Sequence, residues 1–206
     1  MTNLEATNRA LTFLGVPPIR ELAEQTHTGR TVNRQFELTR LSVLSEYPWS
    51  FAIRFTRLNR LAVQPDDKDW MMAFSWPTGA VAIWDVFFSL NNSIRAKFLT
   101  ESRLIYANRD GVSAEYSVDT PFLNWDDAAQ EAFTYRLAAD VAATLNRNEE
   151  LSQAMMQKYI MFGTLAKRNT RNERNLDMIA SGSYLRVRSR GGMHRKLNND
   201  PGWRNT

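Results

Sequence analysis

The acidic segment "PDDKDW", residues 65–70, holds the densest group of potential metal ligands in the chain. Its three aspartates could offer carboxylate oxygens to calcium, but they lack the D-x-D-x-D-G spacing and the distal glutamate of a calcium loop. The chain has no cysteine and only two histidines, His27 and His194, so a transition-metal site would need several carboxylates around one imidazole. We therefore interpret the segment as a solvated turn and predict no metal site.

The sequence contains none of the short motifs of phosphate-binding loops, dinucleotide sites, zinc proteases or serine hydrolases. Its paired carboxylates, Asp126-Asp127 and Glu149-Glu150, lie at predicted helix starts, where the helix dipole already favours negative charge. The serines of "SGS" at 181–183 have no adjacent base to activate them. We therefore predict that the protein is not an enzyme and binds no cofactor.

The segment "SEYPWSFAIRFTRLNRL" holds four aromatic residues and three arginines, a composition that could stack against bases and neutralise phosphates of a single strand. On a strand, however, Arg54 and Arg57 would lie on opposite faces, so the arginines do not form one basic face. Burial of Trp49 and Phe51 is the simpler interpretation, because aromatic side chains dominate protein cores. Pro48 would end the preceding helix, since it disfavours helical geometry at the residue before it. These three residues, Pro48, Trp49 and Phe51, are predicted to form a structural hinge.

Basic residues concentrate at the C-terminal end of the chain. The net charge is +4, yet residues 167–206 alone carry ten lysines and arginines against three acidic residues. In an extended backbone, "YLRVRSR" would place three arginines on one face and smaller or apolar side chains on the other. Such a segment can add to a sheet edge, lie in an acidic groove or bind DNA phosphates, or it can be a disordered basic tail. The predicted interaction residues are Tyr184, Leu185, Arg186, Val187, Arg188, Arg190, Arg195 and Lys196.

Periodicity predicts two helices at the beginning of the chain and two toward its end. A capping box at Thr2–Glu5 starts the first helix, and Gly15 ends it. The second helix is predicted from Thr28 to Glu46, directly before the aromatic break. Apolar stripes with a period near 3.6 residues then return in two segments, 124–145 and 151–168.

The middle of the chain has the two-residue period of β-strands. Ile53 and Phe55 alternate with polar residues and predict a half-buried strand, whereas Arg109–Gly111 predicts the turn of a hairpin. Further strands are predicted at 79–89, 94–100, 103–108 and 112–118.

The order of these elements predicts an α+β protein. Helices from both ends of the chain would form an antiparallel bundle, with a small antiparallel β domain inserted and an extended arm at the C-terminus. We predict the bundle at 1–50 and 121–179, the β domain at 51–120 and the arm at 180–206. The beginning of the chain lacks the pattern of a signal peptide, and Asp85 interrupts the longest apolar run. An intracellular protein without a membrane segment is therefore expected.

Several motifs, in consistent order over roughly residues 3–175, resemble the tail tubular protein A family, the head-to-tail adaptors or connectors of short-tailed bacteriophages. In that family the first helix ends in a Leu-Gly-x-x-Pro-[Ile/Val] turn, matched here by Leu14, Gly15, Pro18 and Ile19. Its aromatic break of the type [His/Tyr]-Pro-Trp-x-Phe-Ala is matched by Tyr47, Pro48, Trp49, Phe51 and Ala52. The segment "FLTESRLIYANRDGVSAEYSVD" is similar to the family's hairpin, and "FLNWDDAAQEAFTYRLAADVAATL" to its "F…F…A…LA" helix. The arm has no match in this pattern.

The resemblance implies a structural protein of the virion, assembled in the host cytoplasm. In the family a ring, commonly of twelve copies, sits beneath the portal protein, encloses the DNA channel without reading its sequence and docks the tail nozzle, a tail tubular protein B-like protein. The C-terminal segment commonly reaches toward the portal, so the basic arm is predicted to bind it. The alternative is a DNA-binding packaging or genome-retention factor that uses the basic tail.

Overall fold

The protein is described by a computed structural model that covers residues 1–63, 65–89, 92–145 and 148–180, without side-chain detail at 89, 92–93 and 175–180. Within these residues the helices are α1 (Asn3–Phe13), α2 (His27–Glu46), α3 (Asp127–Leu145) and α4 (Glu149–Ala180). The strands are β1 (Ile53–Arg57), β2 (Met72–Ser75), β3 (Ala80–Ser89), β4 (Asn92–Arg95), β5 (Phe98–Glu101), β6 (Leu104–Ala107) and β7 (Ser113–Val118). Four helices and two antiparallel sheets confirm the predicted α+β class.

Residues Met1–Arg171 form one compact unit, and the described part of the second unit, which begins at Asn172, is the end of α4. The apolar stripe predicted a helix over 151–168, whereas α4 continues to Ala180. Eight of the twelve residues 169–180 are polar or charged, so the segment shows no apolar stripe, yet it is compatible with helical geometry. The predicted portal-binding residues, from Tyr184 to Lys196, lie outside the described residues.

Local signals position α1 as predicted. The Thr2 hydroxyl accepts from the Glu5 amide at 3.2 Å, and the Glu5 carboxylate accepts from the Thr2 amide at 2.7 Å, which completes the capping box. After Leu14, Gly15 adopts φ +67, the left-handed conformation that glycine tolerates best. The Val16 amide then donates to the Leu11 carbonyl, so the helix end is closed by backbone bonds.

Helix α3 lies in the middle of the helical core, where α1 and α2 both pack against it. It buries Phe133 and Leu137 together with a series of alanines, whose small side chains let neighbouring helices approach closely. Because the helix is covered on several sides, it lacks the polar face that a surface helix would have. The largest fully buried side chains of this core are Leu11, Val32, Phe36, Val43, Leu44, Trp49, Phe122, Phe133 and Leu137.

The strands form two sheets, with the orders β1-β7-β3-β4 and β2-β6-β5. A second apolar core is drawn from strands of both sheets and from residues just beside them. It consists of Leu58, Phe74, Val86, Ala96, Ile105, Ala107, Val112 and Ala114. The single strand predicted at 94–100 is wrong, because Ala96 and Lys97 separate β4 of the first sheet from β5 of the second. Strand β2 was not predicted, since its four residues are too short to show a period.

The predicted hairpin at Arg109–Gly111 is also wrong. The segment does form a turn, with Gly111 at φ +71, but β6 before it and β7 after it belong to different sheets. The hairpin is instead β5–β6, whose two-residue loop places Ser102 at φ 50 and Arg103 at φ 60. Positive φ at both central residues is the requirement of a type I′ turn, which an Asn-Gly dipeptide satisfies far better than Ser-Arg.

Replacing this Ser-Arg loop by an Asn-Gly dipeptide should therefore stabilise the protein. Ser102→Asn with Arg103→Gly removes the strain of two left-handed residues, and we expect a gain of about 1 kcal/mol in the free energy of unfolding. Urea denaturation of the double variant measures it. Arg103→Lys, which keeps both the charge and the strain, is the control and should unfold like the wild type. A double variant no more stable than this control would contradict the turn assignment.

Strand β1 differs from the half-buried strand that its alternation predicted. Ile53 is partly buried, but Phe55 is 54% exposed. The strand is at the edge of its sheet, with β7 as its partner, so one side of its backbone has no neighbouring strand among the described residues. A two-residue period shows that a strand has two faces, but it does not show what covers each face.

Candidate interaction surfaces

Trp49 joins the end of α2 to the start of β1. Its side chain is 0% exposed, and its indole N–H donates to the Val43 carbonyl at 2.7 Å. That carbonyl is one of the last four of α2, which have no partner within the helix, so the indole completes the helix end. The ring stacks on Phe51, and Phe51 stacks on Trp125 before α3. The aromatic break thus packs against the chain segment that returns from the sheets.

The backbone around Pro48 fixes the direction of this joint. Tyr47 is extended at φ −155 and ψ 146, as expected for the residue before a proline. The Trp49 carbonyl then accepts from the amides of Ala52 and Ile53, both at 3.0 Å, which turns the chain sharply into β1. Pro48, Trp49 and Phe51 are therefore brought together where the helices meet the first sheet.

Arg40 forms a second joint, which we call the Arg40 clasp, between α2 and the segment after β7. The residue is 9% exposed, and its guanidinium donates to the carboxylates of Glu37 and Asp119 and to the Thr120 carbonyl. Burial lowers the pKa of Arg40, but the bonds to Asp119 and Glu37 outweigh burial, and the net effect raises the pKa above its ordinary value. Because the described contacts engage Nε, Nη1 and Nη2, the clasp is a structural bond between two segments.

A polar network ties three helices together near the C-terminal end of α2, on both sides of Arg40 in the chain. The Glu46 carboxylate accepts from Arg136 of α3 at 3.1 Å and from the Tyr159 hydroxyl of α4. Arg136 also donates to Asp140 at 3.2 Å, and Asp140 accepts from Thr39 at 2.6 Å. This network was not predicted from the sequence, where its one visible signal was the i,i+4 spacing of Arg136 and Asp140.

The environment of Tyr159 raises its pKa well above the ordinary value. Burial is the main cause, and the hydrogen bond to Glu46 and the charge of that carboxylate add to it, while Arg136 acts in the opposite direction. In the unfolded chain a tyrosine loses its proton near pH 10. Above that pH the unfolded state binds fewer protons than the folded state, so the stabilising contribution of Tyr159 is present below pH ~10 and is lost as the pH rises.

We therefore expect Tyr159→Phe to change how stability depends on alkaline pH. The wild type should lose up to ~1.4 kcal/mol per pH unit above pH ~10 through this residue, and the phenylalanine variant should lack that loss. Urea unfolding between pH 8 and pH 11 measures the difference between the two proteins. In a Glu46→Gln background, where one cause of the raised pKa is removed, the difference should shrink. Parallel pH profiles for wild type and Tyr159→Phe would contradict the assignment.

Helix α4 has an exposed apolar row on the side away from its buried stripe. Of the predicted stripe, Met155, Tyr159 and Ala166 are buried, whereas Leu151 and Phe162 are partly buried. The row consists of Ile160, Met161 and Leu165, which are 61%, 56% and 51% exposed. Met161 and Leu165 lie one turn apart on the same face of α4, whereas Ile160 lies about 100° around the helix from Met161. Single exposed apolar residues are ordinary, but three large ones exposed within two turns of one helix suit a surface that a partner covers. We refer to these three residues as the α4 row.

The remaining predicted features give no chemical centre in the described part of the chain. The acidic segment forms a turn, in which Asp67 accepts from the Asp69 amide at 3.0 Å. No group of three or more potential metal ligands occurs among the residues that the structure describes. None of the helices within the described ranges combines the length and the apolar character needed to cross a membrane.

Comparison with known proteins assigns no family to this chain. No protein-family model matches the chain, and no curated protein matches it. A functional assignment therefore depends on the chain's own residues and surfaces.

Proposed function

We propose that the chain is a structural head-to-tail adaptor of a short-tailed phage virion. It forms a ring beneath the portal protein, extends the DNA channel and docks the tail nozzle. The observation that carries this proposal is the α4 row, because three large apolar side chains exposed on a long helix suit a subunit that is covered by neighbours in an assembly.

The organisation of the chain also supports the proposal. Two sheets follow α2 and precede α3, so the chain leaves the helices, builds strands and returns to the helices. The resemblance implies this order for an adaptor subunit. Trp49 and the Arg40 clasp reinforce both connections, since one lies on the outgoing segment and the other on the returning segment. Such bracing suits a protein that transmits contacts between two neighbours rather than one that opens around a substrate.

Each part of the chain is assigned a different contact in the proposed assembly. The helices form the ring wall, the sheets face the tail nozzle, and residues 180–206 bind the portal through their excess of positive charge. The chain encloses DNA without reading its sequence and uses no cofactor. The alternative, a DNA-binding packaging or genome-retention factor, predicts duplex binding at near-physiological salt with affinity that falls steeply as salt rises.

Mixing the purified chain with cognate portal rings tests the proposal. Negative-stain images should show an added collar on one end of the portal, and a chain that never associates with the portal would refute it. A chain lacking residues 181–206 should keep its helical circular dichroism and lose the collar. Normal docking without these residues would refute the portal-binding assignment of the arm, while leaving the adaptor proposal intact.

Charged substitutions in the α4 row should prevent assembly and leave the fold intact. For Met161→Glu combined with Leu165→Glu we expect a change of no more than about 0.5 kcal/mol per site in the free energy of unfolding, because both side chains are exposed. The collar should be absent, since burying an unpaired carboxylate in an interface is costly. Val63→Glu, at an exposed apolar residue away from α4, is the control and should form the collar. A collar formed by the double variant would contradict the role of the row.

A further inference from the structure

The two sheets expose strand edges that differ in their surroundings. In the second sheet, β2 is covered on its outer side by the preceding segment, where the Leu61 amide donates to Ala73 and the Ser75 amide donates to Asn59. The other edge of that sheet is β5, which has β6 as its one partner among the described strands. In the first sheet, β1 is an edge strand with β7 as its partner. An uncovered edge can template pairing with another chain.

The bonds that flank β1 show which of its backbone groups point outward. The Val118 amide donates to the Ala52 carbonyl, and the Leu58 amide donates to the Val112 carbonyl, both at 2.9 Å. In an antiparallel pair the bonded positions alternate, so Arg54 and Thr56 also face β7. Phe55 therefore directs both its N–H and its carbonyl away from the sheet, as does Arg57. No strand pairs with this edge among the described residues, and the exposed side chain of Phe55 stands beside it. The Arg54 guanidinium donates to the Ile53 carbonyl at 2.7 Å and the Thr56 hydroxyl to the Arg57 carbonyl at 3.4 Å, so a pairing strand would replace these two side-chain bonds.

The hairpin geometry gives the same information for β5. Glu101 and Leu104 flank the two-residue loop and are register partners, so they form a bonded pair. Leu99 is the next position bonded to β6, and the backbone groups of Phe98 and Thr100 point outward. Leu99, Thr100 and Glu101 are all exposed.

We propose that β1 of one copy of this chain pairs with β5 of the next copy, in antiparallel orientation, with Phe55 opposite Thr100. This register makes Phe55–Thr100 and Arg57–Phe98 the two hydrogen-bonded pairs, so the outward-pointing groups of each strand meet those of the other. It also places Arg54 directly opposite Glu101, on the same face of the joined sheet.

Charge selects this pairing over the symmetrical one. Two β1 strands paired with each other would place four arginines on adjacent strands that contain no acidic residue, which is electrostatically unfavourable. The pairing of β1 with β5 puts the guanidinium of Arg54 opposite a carboxylate instead. Charged residues on an edge strand ordinarily hinder association, but here the charge on β1 has a complementary partner on β5.

The pairing joins two different surfaces, so each copy can bind one neighbour through β1 and another through β5. Such a head-to-tail contact closes a ring or extends as a filament. The inference rests on the proposed function, because the strand pairing would be the contact between adjacent subunits of the proposed ring. It does not involve the contact between the ring and the portal.

The cysteine-free chain allows a direct test by disulfide cross-linking. In the proposed register Thr56 and Leu99 form a non-hydrogen-bonded pair, with a Cα–Cα distance of about 4.5 Å, which is within disulfide range. Thr56→Cys combined with Leu99→Cys should give a ladder of covalent oligomers on oxidation, both for the concentrated chain alone and for collars on portal rings. Either single variant should give dimers at most. Phe55→Cys with Leu99→Cys, whose side chains would point to opposite faces, should give no ladder.

Charge exchange supplies a second readout without cysteine. Arg54→Glu should weaken self-association about tenfold, because it replaces an opposite-charge pair by a like-charge pair. Arg54→Glu with Glu101→Arg should restore association, since each contact again holds one charge of each sign. Arg34→Glu, an exposed arginine of α2, is the matched control and should behave like the wild type.

The outcomes separate this inference from the proposed function. A collar on the portal without a ladder, or with equal cross-linking in the mismatched variant, would overturn the strand pairing and leave the adaptor proposal standing. A ladder from the chain alone, with no binding to portal rings, would support the pairing and refute the adaptor. If the chain forms no collar, gives no cross-linked ladder and shows no restored association in the charge-exchanged variant, the strand pairing and the adaptor proposal are both overturned.

Discussion

Replacing Trp49 by alanine is expected to lower the free energy of unfolding by about 3–5 kcal/mol. The side chain is fully buried, contacts Tyr47 and Phe51 through ring packing, and bonds the Val43 carbonyl at the end of α2. Alanine would leave a cavity between the helical core and the start of β1, and it would leave that carbonyl without its indole partner. A loss of this size is a large part of the stability of an ordinary domain.

Urea denaturation followed by circular dichroism measures the effect. Trp49→Phe is the matched control, since it keeps a ring in the core and removes the indole donor, so it should cost clearly less than Trp49→Ala. If Trp49→Ala unfolded like the wild type yet failed to dock on portal rings, Trp49 would be an interaction residue and its assignment as a structural hinge would be wrong.

The helices could be predicted because their signals are local. The capping box at Thr2–Glu5, the stop at Gly15 and the break at Pro48 each act within a few residues of the chain, and the structure has helix ends at those places. The apolar stripe of α4 ends near Arg168, whereas the helix runs to Ala180, one residue beyond the predicted end of the bundle at 179. The polar end of a helix has no periodic mark, so the stripe alone does not show where α4 ends.

The sheets could not be derived in the same way, because strand pairing is decided between distant residues. The sequence around Asp110-Gly111 has the composition of a hairpin loop, yet the chain uses it to pass from β6 in one sheet to β7 in the other. Ser102-Arg103 has no such composition and still forms the tight loop. In both places tertiary pairing overrides local turn preference.

The candidate surfaces likewise include features with local sequence signals, which could be predicted, and features formed by distant residues, which could not. The hinge residues were visible in sequence because Pro48, Trp49 and Phe51 are neighbours in the chain. The network around Glu46 was not visible, because Arg136 and Tyr159 are 90 and 113 residues away from it along the chain. The exposure of the α4 row could not be predicted from periodicity. A buried apolar stripe on one side of a helix does not determine whether the residues on its other sides are polar or apolar.

The Arg40 clasp should contribute about 2–4 kcal/mol to the free energy of unfolding, which makes Arg40→Ala the second severe substitution. Hydrogen bonds to charged groups are each worth about 1.5–3 kcal/mol, and three acceptors lose theirs in this variant. The side chains of Glu37 and Asp119 are 56% and 52% exposed, so water can hydrate both carboxylates once Arg40 is gone. The Thr120 carbonyl retains its bond from the Trp125 indole. These compensations keep the cost below the sum of the individual bonds.

A double-mutant cycle between Arg40 and Asp119 separates the clasp from simple loss of side-chain packing. Asp119→Ala should cost about 1–2 kcal/mol in the wild type, because it leaves a buried guanidinium with fewer partners. In the Arg40→Ala background the same substitution should cost almost nothing, since the exposed carboxylate then has no cation to bind. Urea denaturation of the four proteins gives the coupling free energy. Equal costs in both backgrounds would mean that the two residues stabilise the protein independently, and the bond between α2 and the segment after β7 would carry no stability of its own.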